Sequence, residues 1–600
     1  MSAEVKHHQG SSQSREIVEA QIDQHELAIL DIKKKCEEAV AAELTQIALK
    51  RRSLNELLPV VQLLPEILLH IFKYCVYAFE KSPSRPYGWV RPVTHVCHRW
   101  RKLALDSPSL WTHIVVTRPS WGRILVERSQ QAYLIVLANQ NVPVDGFLGE
   151  LITKDIHRIQ SLQLTLDRSQ WLALGAKLPT CQPAKALQRV RLTNIGTQRQ
   201  NQPLELPLFI AERPEIQSLK VSGPWVLSWN NPPFSPNLHE LSITLPNRGN
   251  QFTIDSVLTV LEGLSQLRVL HLAFESSRMV LDQNDASFAA TKAIHLPRLS
   301  LLSIKDVAHS CATFLRQISF PPTSHISVHV DGFNDTDDLR GLTTSLSHHM
   351  QGMGPMRTMR TGAIGNADDY YLELYSVPAA IEDIFSFPNL GDPKIKLVIC
   401  RLYSSDIVFN AAFNELLAPE VSSVLLEGFR AKGELTPHII TLFSEMPKVE
   451  SLRVRGGALK YIAGLLAYGM PHFFQVESSC SDATHTILLQ QLRELMIDPI
   501  DFALTSLRSD KLDMLCDALQ QRKDINGPIF TRFLLRQPQR FNKEGYLKIV
   551  GALEDMCGQP NKFTKVLVPD ETSARPKRVR EAIGSWAGDA WKSTTVFAFK

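Results

Sequence analysis

The sequence has few cysteines and no motif of a known catalytic centre. Its nine cysteines are scattered over 600 residues, are odd in number and form no CxxC pair. This pattern argues against a disulfide framework or a zinc ribbon and favours a reducing compartment. The motifs GxxxxGKS/T, HExxH and GxSxG do not occur, so no phosphate loop, zinc hydrolase or serine hydrolase is indicated. We therefore expect a protein that is not an enzyme and that needs no cofactor or metal.

The sequence also lacks an excess of one charge sign and lacks long hydrophobic runs. Lysine plus arginine number 65 and aspartate plus glutamate number 61, a net charge of +4, which gives no reason to expect a nucleic acid or an anionic membrane as partner. No signal peptide or bilayer-spanning stretch is visible. With 44% apolar residues the chain should fold, and we expect it in the cytoplasm. The basic cluster Arg575–Arg580 is either a nuclear import signal or an ordinary solvated charge run.

The densest apolar pattern lies between residues 63 and 111. Pro65 suits the first position of a helix, and Glu66 beside it favours the positive helix end. Large apolar residues then recur at three- and four-residue steps, which is the spacing of a helical stripe. So small a unit cannot bury all of them, and the surplus indicates a partner surface. The residues predicted to contact that partner are Leu63, Leu64, Pro65, Ile67, Leu68, Ile71, Phe72, Val96, Cys97, Trp100, Leu103, Leu110 and Trp111.

In this order the residues resemble an F-box, a small helical module that docks on the Skp adaptor of a cullin-based ubiquitin ligase. Over most of its length the chain resembles the F-box-like proteins of basidiomycete fungi, in which an insertion such as residues 81–88 and a leading helix both occur. The resemblance implies that residues 59–116 bind a Skp-type adaptor and, through it, a cullin. The alternative is that the stripes are the core of an ordinary helical hairpin. Cys97, between His95 and His98, is expected in a core because a fourth zinc ligand is missing.

The chain before this segment is predicted to be a tail followed by a long helix. Residues 1–14 are polar and are expected to be a flexible tail. From Arg15 to Leu58 there is neither proline nor glycine, and apolar residues follow three- and four-residue steps. This segment is therefore predicted to be a long amphipathic helix. It either self-associates as a coiled coil or folds back on the rest of the chain, and the phase shift in its apolar seam leaves both alternatives open.

After residue 116 the pattern changes to short bursts spaced L-x-x-L-x-L, the strand signature of leucine-rich repeats. The middle residues of the first six bursts are 28, 29, 22, 29 and 32 residues apart, close to the roughly 20–29 residues of such repeats. The ten bursts are Ile159-Leu162-Leu164, Leu187-Val190-Leu192, Ile216-Leu219-Val221, Leu238-Leu241-Ile243, Leu267-Leu270-Leu272, Leu299-Leu302-Ile304, Val421-Val424-Leu426, Val449-Leu452-Val454, Leu492-Leu495-Ile497 and Phe530-Phe533-Leu535. Residues 117–560 are therefore predicted to form a repeat solenoid, and residues 561–600 a basic tail of low order.

One stretch interrupts this pattern. Between about residues 319 and 400 the repeat register is lost, and we expect irregular repeats with a long loop. The glycine-rich segment from Met350 to Asp369 is predicted to be that loop, made basic by Arg357 and Arg360.

The predicted fold class is therefore α/β: a long N-terminal helix and a small all-α F-box-like hairpin, followed by an irregular leucine-rich-repeat-like β/α solenoid. With this architecture we expect a substrate-recognition subunit of a Skp–cullin–F-box ligase. The alternatives are a binding scaffold whose F-box-like segment only caps the repeats, and an enzyme whose site is assembled from separate loops. An unidentified protein target would bind to the side chains that alternate with the inward leucines and lie on the outward side of the same strands. The residues predicted to bind it are Lys220, Glu240, Arg268, His271, Arg453 and Arg455.

Overall fold

A computed structural model describes most of the chain in two compact units. One unit contains Met1–Val142, Gly146–Leu148 and Arg158–Gln160, and the other contains Pro143–Asp145, Gly149–His157 and Ser161–Lys600. The described residues are 4–80, 87–116, 119–177, 184–196, 204–206, 216–227, 229, 234–246, 253–275, 293–333, 336–364, 369–379, 391–400, 416, 419–427, 442–455, 465–466, 489–498, 517–520, 532–536, 563–569 and 593–599.

The first unit is mainly helical. Its elements are α1 (Glu4–Glu56), α2 (Pro65–Glu80), α3 (Val90–Thr94), α4 (His98–Leu105), a single 3-10 turn (Pro108–Leu110), β1 (His113–Val115), α5 (Pro119–Arg128) and β2 (Leu134–Ala138). Strands β1 and β2 pair in parallel, with Ile114 opposite Val136, and both of these side chains are buried. This short pair follows directly after the helices that carry the predicted F-box pattern.

Helix α1 is longer than the sequence indicated. It begins at Glu4, so residues 4–14, which were expected to be a flexible tail, are helical. Every residue from Arg15 to Leu54 is exposed, including apolar side chains such as Ile22, Leu30 and Leu44. In the part of the chain that the structure describes, α1 therefore buries no apolar stripe against another element. This is not the arrangement expected for a helix that folds back, and self-association stays a prediction.

The second unit alternates strands and helices. Its elements are α6 (Gly149–Asp155), β3 (Ile159–Leu166), α7 (Arg168–Lys177), β4 (Arg189–Asn194), β5 (Leu204–Glu205), β6 (Ser218–Ser222), β7 (Trp225–Val226), β8 (Glu240–Pro246), α8 (Ile254–Glu262), β9 (Val269–Glu275), β10 (Ile294–His295), β11 (Leu301–Asp306), α9 (Ala308–Arg316), β12 (Ile318–Ser319), β13 (His325–Val330), α10 (Thr336–Met350), β14 (Thr358–Ile364), β15 (Asp369–Tyr375), β16 (Ile395–Ile399), β17 (Ser423–Glu427), β18 (Ser451–Arg455), β19 (Glu494–Asp498), β20 (Arg532–Arg536), β21 (Phe563–Pro569) and β22 (Ser593–Phe599).

The main sheet of this unit is mostly parallel. The strand order is β3-β4-β6-β8-β9-β11-β13-β16-β15-β14-β17-β18-β19-β20-β22-β21. Strand β15 runs antiparallel to both of its neighbours, and β22 runs antiparallel to β20 and β21. A mixed α/β arrangement with a mostly parallel sheet is consistent with a repeat solenoid.

The strands lie where the leucine spacing predicted them. Each of the ten bursts contributes its last two residues to a strand, as Leu270 and Leu272 do in β9. In β6 and β13 burial alternates along the strand, because successive side chains point to opposite faces of a sheet. The apolar side chains therefore fill one face and the polar side chains line the other.

The helices cover the apolar face through stripes of their own. In α8, for example, Ile254, Val257, Leu258 and Leu261 are buried, which is the three- and four-residue spacing of one helix face. Thr253 caps this helix, because its hydroxyl accepts a hydrogen bond of 3.2 Å from the Ser256 amide. Among the described residues, no helix combines the length and the apolar composition that crossing a membrane requires.

Two predictions about this unit are wrong. The segment expected to be a basic loop contains β14, which pairs with β15 as a hairpin and with β17 in parallel. Gly362 fits within this strand because a Cβ there would lie 2.1 Å from the Glu427 carbonyl oxygen, so the glycine allows close backbone approach. Residues 561–600, expected to be a tail of low order, contain β21 and β22. The basic cluster at 575–580 lies outside the described residues.

Candidate functional site

Helix α2 buries one of its faces in the interior of the first unit. Leu68, Phe72 and Val76 are buried and follow one another at four-residue steps, which places them on one side of the helix. The Phe72 ring meets the Trp100 ring of α4 edge to face, with the centroids 5.0 Å apart, a favourable arrangement for two aromatic rings. These residues hold α2 against α4.

Trp111 is the centre of the same interior. Its side chain is fully buried, its indole nitrogen donates a hydrogen bond of 2.8 Å to the Ala104 carbonyl, and its ring centroid lies 5.0 Å from that of Trp89. The Arg128 guanidinium covers the ring at 4.5 Å, which adds a cation–π contact. Trp111 thus joins residues of its own unit and is not available to a partner.

A second apolar face of α2 is exposed. Ile67, Ile71 and Tyr74 follow one another at steps of four and three residues, and all three are exposed, Tyr74 by 75%. Leu64, just before the helix, is 66% exposed, and Val96, just before α4, is exposed as well. The structure therefore separates what the sequence joined as one stripe into a buried face and an exposed face. Tyr74 was not among the predicted contact residues, although its position at i+3 from Ile71 was visible in the sequence.

The predicted contact residues therefore divide into two sets. Leu68, Phe72, Leu110 and Trp111 are buried, so their assignment to a partner surface is corrected: they form the core that a domain of this size needs. The residues that remain accessible are exposed (Leu64, Pro65, Ile67, Ile71 and Val96) or half-buried (Leu63, Cys97, Trp100 and Leu103).

Two polar contacts fix the ends of the helices beside the exposed face. Arg99 of α4 donates a hydrogen bond of 3.0 Å to the carbonyl of Leu63 and so ties the segment before α2 to α4. The Cys97 sulfur accepts a hydrogen bond of 3.5 Å from the Trp100 amide and caps α4, since the first amides of a helix have no partner within the helix. Cys97, which was expected in a core, is half-buried and has a structural role as the cap of α4.

Three of the predicted target-binding residues, Lys220, Glu240 and His271, lie together on the polar face of the sheet. Lys220 of β6 is 2.5 Å from a Glu240 carboxylate oxygen of β8, and Ser218 donates a hydrogen bond of 2.6 Å to the other oxygen. Burial raises the pKa of Glu240, but the contacts with Lys220 and Ser218 outweigh it, and the net pKa is lowered. His271 of β9 lies 2.8 Å from the Ser303 hydroxyl, and burial, with Lys220 nearby, lowers its pKa. Arg268 is exposed.

The remaining two predicted residues lie elsewhere on the same face. Arg453 and Arg455 are on β18, which is separated from β9 by six strands in the sheet order. Arg455 makes an ion pair of 3.4 Å with Glu427 of β17. The structure therefore brings five of the six predicted target residues to one face but not to one place, and the sixth, Arg268, is an exposed residue just before β9.

Arg455 is part of a charged network that sequence reasoning did not find. Arg360 of β14 binds two carboxylates, at 3.1 Å from Glu373 of β15 and 2.8 Å from Glu427. The hydroxyl of Tyr371 donates to Glu427 at 2.6 Å, and that of Tyr375 donates to Glu373 at 2.9 Å. Lys396 of β16 binds the other oxygen of Glu373 at 2.8 Å. Five adjacent strands thus share one set of hydrogen bonds.

The protonation states in this network follow from its partners. Burial raises the pKa of Glu427, but hydrogen bonds from Tyr371 and Arg360 outweigh burial and lower the pKa below its ordinary value. For Tyr371, burial and the neighbouring Glu427 both raise the pKa, so the phenol stays protonated and donates. The alternation Tyr371, Glu373, Tyr375 was visible in the sequence. Their arginine partner was not, because it lies on another strand.

Comparison with known proteins identifies the domain in the first unit. Residues 63–117 match the family model of the F-box-like domain, and this part of the chain is an F-box-like domain. Among solved structures, the chain is similar to the leucine-rich repeat-containing protein LegL7 from Legionella pneumophila, with 11% identity and a TM-score of 0.22 over 58% of this chain and 92% of that chain. Comparison with curated proteins gave no match.

Proposed function

We propose that the protein is a substrate-recognition subunit of a Skp–cullin–F-box ubiquitin ligase. The F-box-like domain suggests an adaptor or substrate-recognition role in such complexes. In this proposal the domain binds a Skp-type adaptor, and through it a cullin, while the repeat unit holds a protein target. The protein acts by proximity and supplies no covalent chemistry of its own, and it works in the cytoplasm or the nucleus.

The exposed apolar face beside α2 is the observation that carries the proposal. Leu64, Ile67, Ile71 and Tyr74 are large apolar or aromatic side chains that the domain leaves in contact with water. The domain already has a core of Leu68, Phe72, Leu110 and Trp111, so the exposed residues are not needed to close it. Apolar surface of this kind, contiguous and on one side of a small domain, is typical of a protein interface.

The rival function is a scaffold in which the F-box-like segment only caps the repeat core. A cap would bury Leu64 and Pro65, whereas both are exposed among the described residues. Trp111 is buried, but its contacts are with Trp89, Ala104 and Arg128 of its own unit. The exposure of Leu64 and Pro65 therefore favours an F-box-like domain that docks on an adaptor. The burial of Trp111 does not favour the scaffold in which this segment is a cap.

We place the target on the polar face of the repeat sheet. Its side chains are charged or hydroxylic, and several are already held in position by neighbours, as Lys220 is by Glu240. Such preorganised groups can select a partner by hydrogen bonds and charge pairs at little entropic cost. The identity of the partner depends on these side chains and not on the repeat fold.

The experiment compares adaptor binding by purified full-length variants. Replacing Leu64 and Pro65 together with alanine should weaken binding to an immobilised Skp-type adaptor by about 2–4 kcal/mol, the scale of losing buried interface anchors. The matched control is Leu172→Ala, because Leu172 on α7 is 54% exposed and lies outside the F-box-like domain. Circular dichroism should show unchanged helix content in both variants.

Equal adaptor binding by the double variant, the control and the parent protein would contradict the ligase proposal and favour the scaffold. Loss of binding in the double variant alone would support it. An equal loss of binding in both variants would contradict the assignment to the exposed face of α2, because a substitution outside the F-box-like domain would then have the same effect.

A further inference from the structure

Three potential metal ligands meet at the ends of two neighbouring parallel strands. His329 lies near the end of β13, Asp331 follows that strand, and Cys400 follows β16. The two strands pair in register, with His329 opposite Val398, and the Cys400 amide donates a hydrogen bond of 2.8 Å to the Val330 carbonyl. Parallel strands end at the same edge of a sheet, so these three side chains lie together on the polar face.

The ligand atoms converge on one point. The Nε2 atom of His329 is 2.9 Å from the Cys400 sulfur and 3.7 Å from a carboxylate oxygen of Asp331, and the three ligand atoms all lie within 4.8 Å of one another. All three side chains are half-buried. They are therefore held by the sheet and yet can be reached from solvent.

The arrangement does not fit a cysteine nucleophile activated by a histidine. In a catalytic triad the acid binds one ring nitrogen and the nucleophile binds the other. Here the same nitrogen, Nε2, faces both Cys400 and Asp331. Three ligand atoms that converge on one point have the arrangement of ligands around a single bound ion.

The surrounding charges are compatible with a divalent cation. Lys305 of β11 is 3.3 Å from one oxygen of Asp331, while the other oxygen faces His329. Asp369, at the start of β15, hydrogen-bonds the Cys400 thiol. A thiolate at 400 and a carboxylate at 331 together carry two negative charges and balance a divalent ion, and Asp369 offsets the charge of Lys305.

We propose that His329, Asp331 and Cys400 bind a zinc ion, with a fourth position open to solvent. One nitrogen, one sulfur and one oxygen ligand suit zinc, which accepts all three at about 2.0–2.3 Å. In a tetrahedral site those lengths place nitrogen and sulfur about 3.6 Å apart, so the side chains need to separate by less than about 1 Å from their present spacing. The proposed site differs from the expectation, drawn from the sequence, that the chain binds no metal, and it is independent of the proposed function.

The test measures zinc binding by metal-free, tag-free full-length protein under a phosphine reductant. The chain is titrated with zinc against a competing chromophoric chelator. The variants are Cys400→Ser, His329→Gln and Asp331→Asn. One matched control is Cys36→Ser, which replaces an exposed cysteine on α1. The other is His309→Gln, which replaces a histidine that lies 3.3 Å from Asp338 but belongs to no group of three potential metal ligands among the described residues. A parallel titration with cobalt reports whether a thiolate is bound, through a charge-transfer absorption band.

We expect the parent and both controls to bind one more zinc ion per chain than Cys400→Ser and His329→Gln. Asp331→Asn should bind that ion at least about tenfold more weakly, because even outer partners of a metal site change affinity by 10–100-fold. The cobalt band should be absent in Cys400→Ser.

Zinc binding by Cys400→Ser and His329→Gln that equals the parent's in number and affinity would overturn the proposal, and so would a parent that binds no zinc. If circular dichroism shows that Cys400→Ser is misfolded, zinc binding by His329→Gln and Asp331→Asn tests the proposal instead. The side chains replaced in these two variants are half-exposed and are not part of the apolar core.

Discussion

Two arginines three residues apart should differ sharply in what they contribute. The sequence grouped Arg357 and Arg360 as one basic loop, but the structure gives them different surroundings. Arg360 is 27% exposed and binds Glu373 and Glu427, both of which are almost fully buried. Among the described residues Arg357 makes an ion pair of 3.3 Å with Glu420, and these two side chains are 40% and 38% exposed. We predict that Arg360→Met destabilises the β14–β15 hairpin and that Arg357→Met hardly does.

The size of the effect follows from the partners that remain. Without Arg360, Glu373 keeps Lys396 and Tyr375, and Glu427 keeps Tyr371 and Arg455. Removing one partner of a buried ion pair costs about 3–5 kcal/mol. The remaining hydrogen bonds reduce that cost, so we expect about 3 kcal/mol for Arg360→Met, at the lower end of the range. The pair of Arg357 with Glu420 is exposed, and such pairs contribute little.

The effect should also depend on pH, with a defined sign. In the parent protein the pKa of Glu427 is lowered from an ordinary 4.5. A carboxyl with a lowered pKa stabilises the folded state above its unfolded pKa, and this stability is lost as pH falls through the folded pKa. The difference in stability between the parent protein and Arg360→Met should therefore have its full size at pH 7 and should become smaller as the pH falls below 4.5.

Hydrogen–deuterium exchange of peptides covering β14 and β15 measures this stability locally, which suits a chain of two units because multi-domain proteins need not unfold in one transition. Arg360→Met should speed exchange of these amides by about a hundredfold at pH 7, since each 1.4 kcal/mol is about tenfold. Arg357→Met should leave the rates close to those of the parent. Equal acceleration by both variants, or a difference that does not narrow in acid, would refute the electrostatic explanation.

Two further substitutions test the packing. Leu68→Ala should destabilise the F-box-like domain by about 3 kcal/mol, because Leu68 is fully buried and truncating a buried leucine costs about 2–5 kcal/mol. Ile67→Ala, on the exposed face, should not destabilise the domain. Equal melting temperatures for the two variants would contradict the assignment of faces. Gly362→Ala should lower protection of β14 and β17, since the added Cβ would lie 2.1 Å from the Glu427 carbonyl oxygen; unchanged exchange would show that the strands can separate without cost.

The strands could be predicted from the sequence because their signal is local. Each inward leucine is followed, two residues later, by a second inward apolar residue, as Leu302 is followed by Ile304 in β11. This alternation reflects the pleat of the strand alone. The spacing of these bursts, with the middle residues of the first six 28, 29, 22, 29 and 32 residues apart, indicated the repeat. Neither required knowledge of which strands are neighbours.

The division of α2 into two faces could not be predicted in the same way. Its apolar residues cover so much of the cylinder that the spacing fits one broad stripe. The inward direction of Phe72 depends on tertiary contacts such as that with the Trp100 ring. The charged network was missed for a related reason. Arg360 and Glu427 are 67 residues apart, and their contact depends on the β14–β15 hairpin, which reverses one strand within a parallel sheet.

The hairpin also has a consequence for how the sheet assembles. Its strands pair residues as close in sequence as Ile364 and Asp369, whereas β17 and β18 pair Ser423 with Ser451. A short loop closes at a lower entropic cost than a long one, and hairpins form within microseconds. We therefore expect β14 and β15 to pair first. Because β15 then offers an edge to β16 and β14 offers one to β17, ordering of the repeats would spread from the middle of the sheet toward both of its ends.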